Sequence, residues 1–417
     1  MSFNKKNIID LSVLSSSEGI SLIILFLTLP IISRIYDPSD FGNFEKYVVF
    51  IGIVANICLL NFEFKIYNFS TKRDQTLSLV TCLIFTTVFS SIYLFSAFLV
   101  YHFISSELLS SYKIIFLIFL WLISVSLSNI TLTFFSSFGN FKKYSIIRLI
   151  STIILVASQI ILGYLDFKFY GFVYAIILQN IFISFFGIIP IHNQIKIFKN
   201  DLKFIDVKNH IKNNKNIILF TFPGSFLNRI TQALPVFFLA AFNPIYLGFY
   251  SFGNQILNYP LKIFNGVGNM YKKEFNDEVR SNKTYKKSFY KYLKIFSLVS
   301  FLLLIGTLLF ADLLIPFIFG DKWIDAIIII KFLSIMVSIR FIVASLSPVF
   351  ILDYLPKFGI LLQGFYFLIS IIFIFVSKQI SQNHMSIIIA YIFSSIIFYL
   401  IYFLAMKYFS NKPLKIL

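Results

Sequence analysis

Uninterrupted apolar runs rich in Ile, Leu and Phe recur along the chain. Each is close to the roughly 20 residues that a helix needs to cross a hydrocarbon core about 30 Å thick. They are too long for the roughly 10-residue alternating strands of a membrane barrel, so the pattern predicts helices. Twelve spans follow, near residues 12–33, 44–63, 77–101, 113–136, 146–165, 170–190, 216–240, 246–268, 293–317, 324–350, 358–377 and 386–408. The expected fold class is an all-α integral membrane protein.

One stretch is heard twice. Leu29-Pro30 closes the first run and is followed by Arg34, Tyr36, Pro38, Phe41 and Gly42; about two hundred residues later come Leu234-Pro235, Pro244, Tyr246 and Gly248. In both copies a glycine stands four positions beyond the second proline. With the Leu-Pro pairs in register, Gly19 falls on Gly224 and the second copy needs one inserted loop residue. Such an echo, flanked by similar apolar runs, marks a duplicated unit of the kind that builds transporters. It predicts an N-terminal six-helix lobe over 1–195, a basic cytoplasmic linker over 196–215 and a C-terminal six-helix lobe over 216–417.

Composition agrees with the pattern. Hydrophobic residues make up 58% and charged residues 13%, with mean hydropathy +0.85, whereas a soluble domain carries about 25% charged residues. The formal charge of +18 would raise the question of nucleic acid in a soluble chain. Here the charge sits mostly in loops. An even number of spans puts both termini on one side; with that side cytoplasmic, the internal segments hold 26 Lys and Arg and the external ones six. The positive-inside rule therefore places both ends in the cytoplasm, and no nucleic-acid partner is implied. The basic loops His192–Lys215 and Lys272–Lys294 read as solvated topology determinants; a helix on the anionic inner leaflet is the other reading of the second. The first segment has no small-residue cleavage pattern and is expected to stay as a helix. Cys58 and Cys82 lie in different runs without metal-ligand spacing.

Some spans carry polar stripes, which mark faces turned to a cavity or another helix. In the eighth, Ser251, Asn254, Gln255, Asn258 and Lys262 share one face at i, i+3, i+4, i+7 and i+11. The seventh has Ser225, Asn228, Arg229 and Gln232, just after Pro223-Gly224, a pair expected to bend or open the helix. The fifth has Arg148, Ser151, Thr152 and Gln159, and the first has Ser15, Glu18 and Ser21 beside Gly19. Arg148 and Lys262 face a lumen or snorkel to the headgroups. Lys331 and Arg340 fall on opposite faces of the tenth span, with Arg340 the better pocket candidate. The intramembrane balance is thus Arg229, Lys262, Lys331 and Arg340 against Glu18, a sign that attracts anions. A substrate with negative charge is expected.

No nucleotide loop, hydrolase elbow, metalloprotease helix or paired-cysteine site occurs. Neither a catalytic residue, a cofactor nor a metal is expected, and transport would draw on a gradient or a partner. Glu18 is the candidate for ion coupling, to H+ or Na+.

Pro30, Arg34, Tyr36, Pro38, Phe41 and Gly42, then Asn61-Phe62-Glu63-Phe64, resemble the N-terminal signature of bacterial polysaccharide-repeat flippases, the O-antigen and capsule translocases. Pro235, Gly248, Tyr250 and Pro260 resemble their second-half counterparts, and Phe319-Gly320-Asp321-Lys322-Trp323 is similar to the family's FG-x-x-W loop. The resemblance implies the multidrug/oligosaccharidyl-lipid/polysaccharide exporter superfamily, with two six-helix lobes in pseudo-twofold relation about a central cavity, as in MATE transporters. It also implies an undecaprenyl-diphosphate-linked oligosaccharide as substrate, moved across the inner membrane by alternating access. Implied partners are membrane lipids and the polymerase and chain-length proteins of the same pathway. Arg229, Arg340, Lys262 and Arg148 match the family's cationic cavity by type and depth, with Asn228, Asn254, Gln255 and Asn258 beside them. Arg34 belongs to the signature and is a gating as much as a contact candidate. A cation-coupled multidrug exporter of the same superfamily and a membrane glycan polymerase are the alternatives; the first would need acidic cavity residues, the second a large external loop.

Overall fold

The computed structural model describes residues 5–68, 71–103, 111–198, 203–282, 284–347, 356–381 and 383–411. Every regular element among them is helical. In order these are α1 (Lys5–Ile35), α2 (Pro38–Leu59), α3 (Glu63–Asn68), α4 (Lys72–Phe103), α5 (Tyr112–Ser137), α6 (Phe141–Tyr164), α7 (Phe169–Ile197) and α8 (Phe204–Asn213). After them come α9 (Phe222–Ala240), α10 (Pro244–Ile263), α11 (Asn265–Asn282), α12 (Lys286–Phe319), α13 (Ala326–Ser345), α14 (Pro356–Ile380) and α15 (His384–Ser410).

Ten helices among the described residues are long and apolar enough to cross a membrane. The remaining two expected spans are α9 and α10, whose 19 and 20 residues are long enough but whose amides and charges lower their hydropathy. A π-helical turn at Ile217–Thr221 leads into α9 just ahead of Pro223-Gly224, which is the local opening that the pair predicts. The second span begins earlier than hydropathy suggests. Asp37-Pro38 starts α2 with proline at the first helical position, and the Asp40 carboxylate accepts from the Asp37 N–H at 3.1 Å. Glu45 and Lys46 therefore lie two turns inside the helix.

The chain packs as two compact units, Met1–Ser21 with Tyr47–Phe226 and Leu22–Lys46 with Leu227–Leu417. The end of α1 and the start of α2 thus group with the C-terminal helices, and the chain passes between units at Phe226–Leu227 rather than within 196–215. The physical reason is a close helix crossing described below.

In the first unit α5 packs on α4 and α7, and α6 on α7. Phe62, Ile66, Leu79, Cys82, Ile130 and Ile183 are fully shielded in its core. Much of the expected 196–215 linker is folded: α8 docks on α4, with the His210 ring 2.9 Å from the Ser78 hydroxyl and edge-on to Phe62. Burial holds the His210 imidazole below its ordinary value of 6.5; Lys65 and Arg73 push the same way, and Asp74 opposes them. The unfolded chain therefore binds this proton at a higher pH than the folded one. Stability should fall as the pH drops from about 6.5 toward the lower folded value, and level off beneath it. A His210→Gln protein should lose that slope in thermal midpoints measured between about pH 7 and pH 5; an unchanged slope would place its origin elsewhere.

In the second unit α13 packs on α10, α12 and α15, and α14 on α15. The basic loop after α10 is helical as one of its two readings expected, but its apolar face is turned to protein. Tyr271, Phe275 and Val279 of α11 are fully buried, and Tyr271 and Phe275 meet Tyr292 and Tyr285. The Glu278 carboxylate accepts the first backbone N–H groups of α12, Lys287 at 2.9 Å and Ser288 at 2.7 Å, where a negative charge suits the helix dipole.

Candidate functional site

The two copies of the repeated stretch meet inside the second unit. Like α2, α10 opens on an Asx-Pro step, and the Asn243 side chain accepts from the Ile245 N–H at 2.9 Å. The first turns of α2 and α10 cross at backbone distance. A Cβ on Gly42 would stand 1.8 Å from the Pro244 carbonyl oxygen, and one on Gly248 would stand 1.8 Å from that of Pro38. Each copy's glycine is seated on the other copy's proline, the reciprocity of a twofold interface.

The rest of the motif locks this crossing. Trp323 is fully buried, stacked on Phe252 at 3.8 Å and edge-on to Phe41 at 5.0 Å, with its indole N–H donating to the Ser33 carbonyl at 3.0 Å. The Lys322 ammonium donates to the Tyr36 carbonyl at 2.6 Å and pairs with Asp37 at 3.2 Å. Arg34 is exposed and donates to the Phe317 and Ile318 carbonyls, which are orphaned at the end of α12; Gly320, at φ +98°, ends that helix. Arg34 therefore ties α1 to α12. Pro30 and Pro235 sit within α1 and α9.

Deeper in the same unit lies a polar cluster on α10, α13, α14 and α15. Arg340 donates to the Asn258 side-chain oxygen at 2.6 Å, and Asn258 donates to the Asn254 carbonyl at 2.6 Å. The guanidinium is held among Tyr250, Tyr366, Tyr391 and Tyr399, with Tyr399 in hydrogen-bonding reach. Tyr366 donates to the Tyr391 hydroxyl at 3.1 Å and is hydrogen-bonded to the Ser395 hydroxyl at 2.9 Å. Guanidinium has five N–H donors in a fixed plane and keeps its charge at any ordinary pH. Oriented by an amide, it can take a phosphate or carboxylate through paired hydrogen bonds.

The other expected site residues are distributed elsewhere. Gln255 is part-buried and approaches Ser251 at 3.5 Å. Arg229 and Lys262 are exposed, the latter over the Tyr259 ring at 5.8 Å, and Gln232 donates to Asn228. Arg148 and Glu18 belong to the first unit, where Tyr144, one turn before Arg148 on α6, donates to Glu18 at 2.8 Å. Ser151 and Thr152 bond back to the Arg148 carbonyl.

The expected charge balance needs correction. Lys331 is paired with Asp312 at 2.5 Å, and Glu45 accepts from Ser251 at 2.7 Å. Both carboxylates escaped the sequence reading: Glu45 because it stood at the very end of the expected span 44–63, whereas α2 starts at Pro38, Asp312 because its partner lies 19 residues on. Asn61, a residue of the signature stretch, has a structural role of its own. At φ +59° it breaks the chain between α2 and α3, bonds Asn56 at 2.9 Å and reaches Ser225 at 2.5 Å, and an asparagine is among the residues that tolerate this backbone. Among the described residues no group of His, Cys, Asp and Glu could hold a metal ion.

Residues 31–328 match the sequence profile of a family described as polysaccharide biosynthesis protein. No curated protein matches the sequence significantly. Among solved structures, the lipid II flippase MurJ in an inward closed conformation is similar with TM-score 0.68 and 15% identity, over 94% of this chain and 87% of that one. An inward-facing multidrug resistance MATE family transporter of the MOP superfamily gives 0.67 and 14%, over 93% and 95%. A MATE protein in complex with MaD5 gives 0.63 and 16%, over 97% of both. The chain therefore belongs to the polysaccharide biosynthesis protein family, and its fold is the one shared by MATE transporters and the lipid II flippase.

Proposed function

We propose that the protein flips an undecaprenyl-diphosphate-linked oligosaccharide repeat unit from the inner to the outer leaflet of the bacterial plasma membrane, for O-antigen or capsule assembly. The observation that carries this reading is the Arg340 fork, oriented by Asn258 and lying near several tyrosines in a helix bundle of membrane-spanning composition. An unpaired charge taken into hydrocarbon costs many kcal/mol. A fixed cation with hydroxyl and amide neighbours replaces water for a diphosphate or an acidic sugar, while the lipid tail stays in the bilayer. Arg229 and Lys262 add positive charge within the unit that holds Arg340, Arg148 adds it in the first unit, and Arg34 acts at the motif crossing. Both termini face the cytoplasm, in keeping with the lysine and arginine bias, and the polymerase and chain-length proteins of the pathway receive the product.

Glu45 is the observation that favours a second reading, an exporter of organic cations, since a carboxylate is what such a substrate needs. The two readings separate in the cell. Depleting the protein should strand lipid-linked repeat units on the inner leaflet and strip glycan from the surface. Units that still cross at the normal rate would refute the proposal, and drug hypersensitivity in their place would support the rival.

A further inference from the structure

We propose that Glu45 is a proton-binding site through which a proton gradient moves α2 against α10. In the register of the repeat, Pro38 corresponds to Pro244 and Gly42 to Gly248; the same offset makes Glu45 the counterpart of Ser251. These two are the residues that bond, 206 positions apart, at 2.7 Å. Equivalent positions can touch only where the local twofold passes between them. The Glu45–Ser251 bond is therefore the rung on the axis, one turn beyond the reciprocal glycine contact.

A true twofold would place two identical side chains there. Two carboxylates would repel and two hydroxyls would carry no charge; one of each gives a single titratable group at the centre of the crossing. Its surroundings suit a proton. Tyr250 and Tyr259 of α10 lie near Glu45, and Tyr250 is also near Arg340 of α13. Lys46 follows on α2, and Arg34, Asp37 and Lys322 occupy the motif end of the crossing. Ser251 and Tyr250 are almost wholly buried, at 1% and 4% exposure.

Hydrogen-bond counting sets the direction. A neutral carboxyl can accept from Ser251 and donate its own proton. An ionised one offers about four acceptor sites, of which Ser251 fills one, and the remainder draw water between the helices. Protonation holds the crossing shut, and loss of the proton lets it part. The inference rests on the reading as a transporter and not on which substrate is carried.

Trp323, packed on Phe41 and Phe252 at this crossing, is a built-in reporter, since Trp121 is the other tryptophan of two. In Trp121→Phe protein in lipid nanodiscs without substrate, raising the pH from about 5 to about 8, across the range where protein carboxyls titrate, should shift Trp323 emission to the red and raise iodide quenching severalfold. Glu45→Gln should abolish the response, and Glu45→Asp should keep it with a moved midpoint. A flat parent, a response that survives Glu45→Gln, or the same shift produced by sodium at constant pH would overturn the proposal. None of these outcomes needs a glycolipid, so they stand or fall separately from the stranding experiment.

Discussion

Replacing Gly42 or Gly248 with alanine is expected to lower the thermal midpoint of the purified protein more than alanine at any other helical glycine. At Gly42 the new Cβ would stand 1.8 Å from the Pro244 oxygen and 2.9 Å from the Gly248 nitrogen, and at Gly248 it would stand 1.8 Å from the Pro38 oxygen. These obstacles are backbone atoms in capped first turns, so no rotamer change relieves them. The helices must separate, and the cost should reach or exceed the roughly 1–3 kcal/mol usual for overpacking. Gly306 and Gly364 are the controls, with nothing within 4 Å of an added Cβ; alanine there should stabilise by about 0.5–1 kcal/mol. Because both glycines serve one crossing, the double variant should lose less than the sum of the singles. Equal midpoints for Gly42→Ala and Gly306→Ala would show that the crossing is not held at backbone distance.

An Arg340→Ala protein should reach the membrane yet lower surface glycan by at least about tenfold, since a hydrogen bond to a charged group contributes about 1.5–3 kcal/mol. Arg340→Lys keeps the charge but not the planar fork that Asn258 orients, so it should fall between parent and alanine variant. Truncation also leaves Asn258 and nearby tyrosine hydroxyls short of a partner. Membrane abundance and thermal midpoint must therefore be read beside export. Arg229 is exposed on α9, so Arg229→Ala alone should be the milder change. Normal export by the Arg229→Ala, Arg340→Ala double variant would remove both from the substrate path.

Much of this was legible in one dimension. Runs of Ile, Leu and Phe announced the spans because burial in lipid demands length and apolarity together. The Pro-x-x-x-Gly echo was equally plain: proline can open a helix and glycine allows a close approach, whatever surrounds them. The face of α10 that holds Asn254, Gln255 and Asn258 followed from helical period alone. Glu45 did not follow. Its significance depends on Ser251, and hydropathy, which averages over a window, hid the two polar turns that begin α2.

What the amino-acid order determined by itself was therefore local: helices, their polar faces and a unit written twice. That the two copies of the motif should pack on each other, with Glu45 meeting its own counterpart, was decided only by the folded chain. Periodicity is a property of neighbours along a helix, whereas a bond between residues 206 positions apart arises from the crossing of two helices. A glycine records that something comes close; only the tertiary contact shows that it is the other copy's proline.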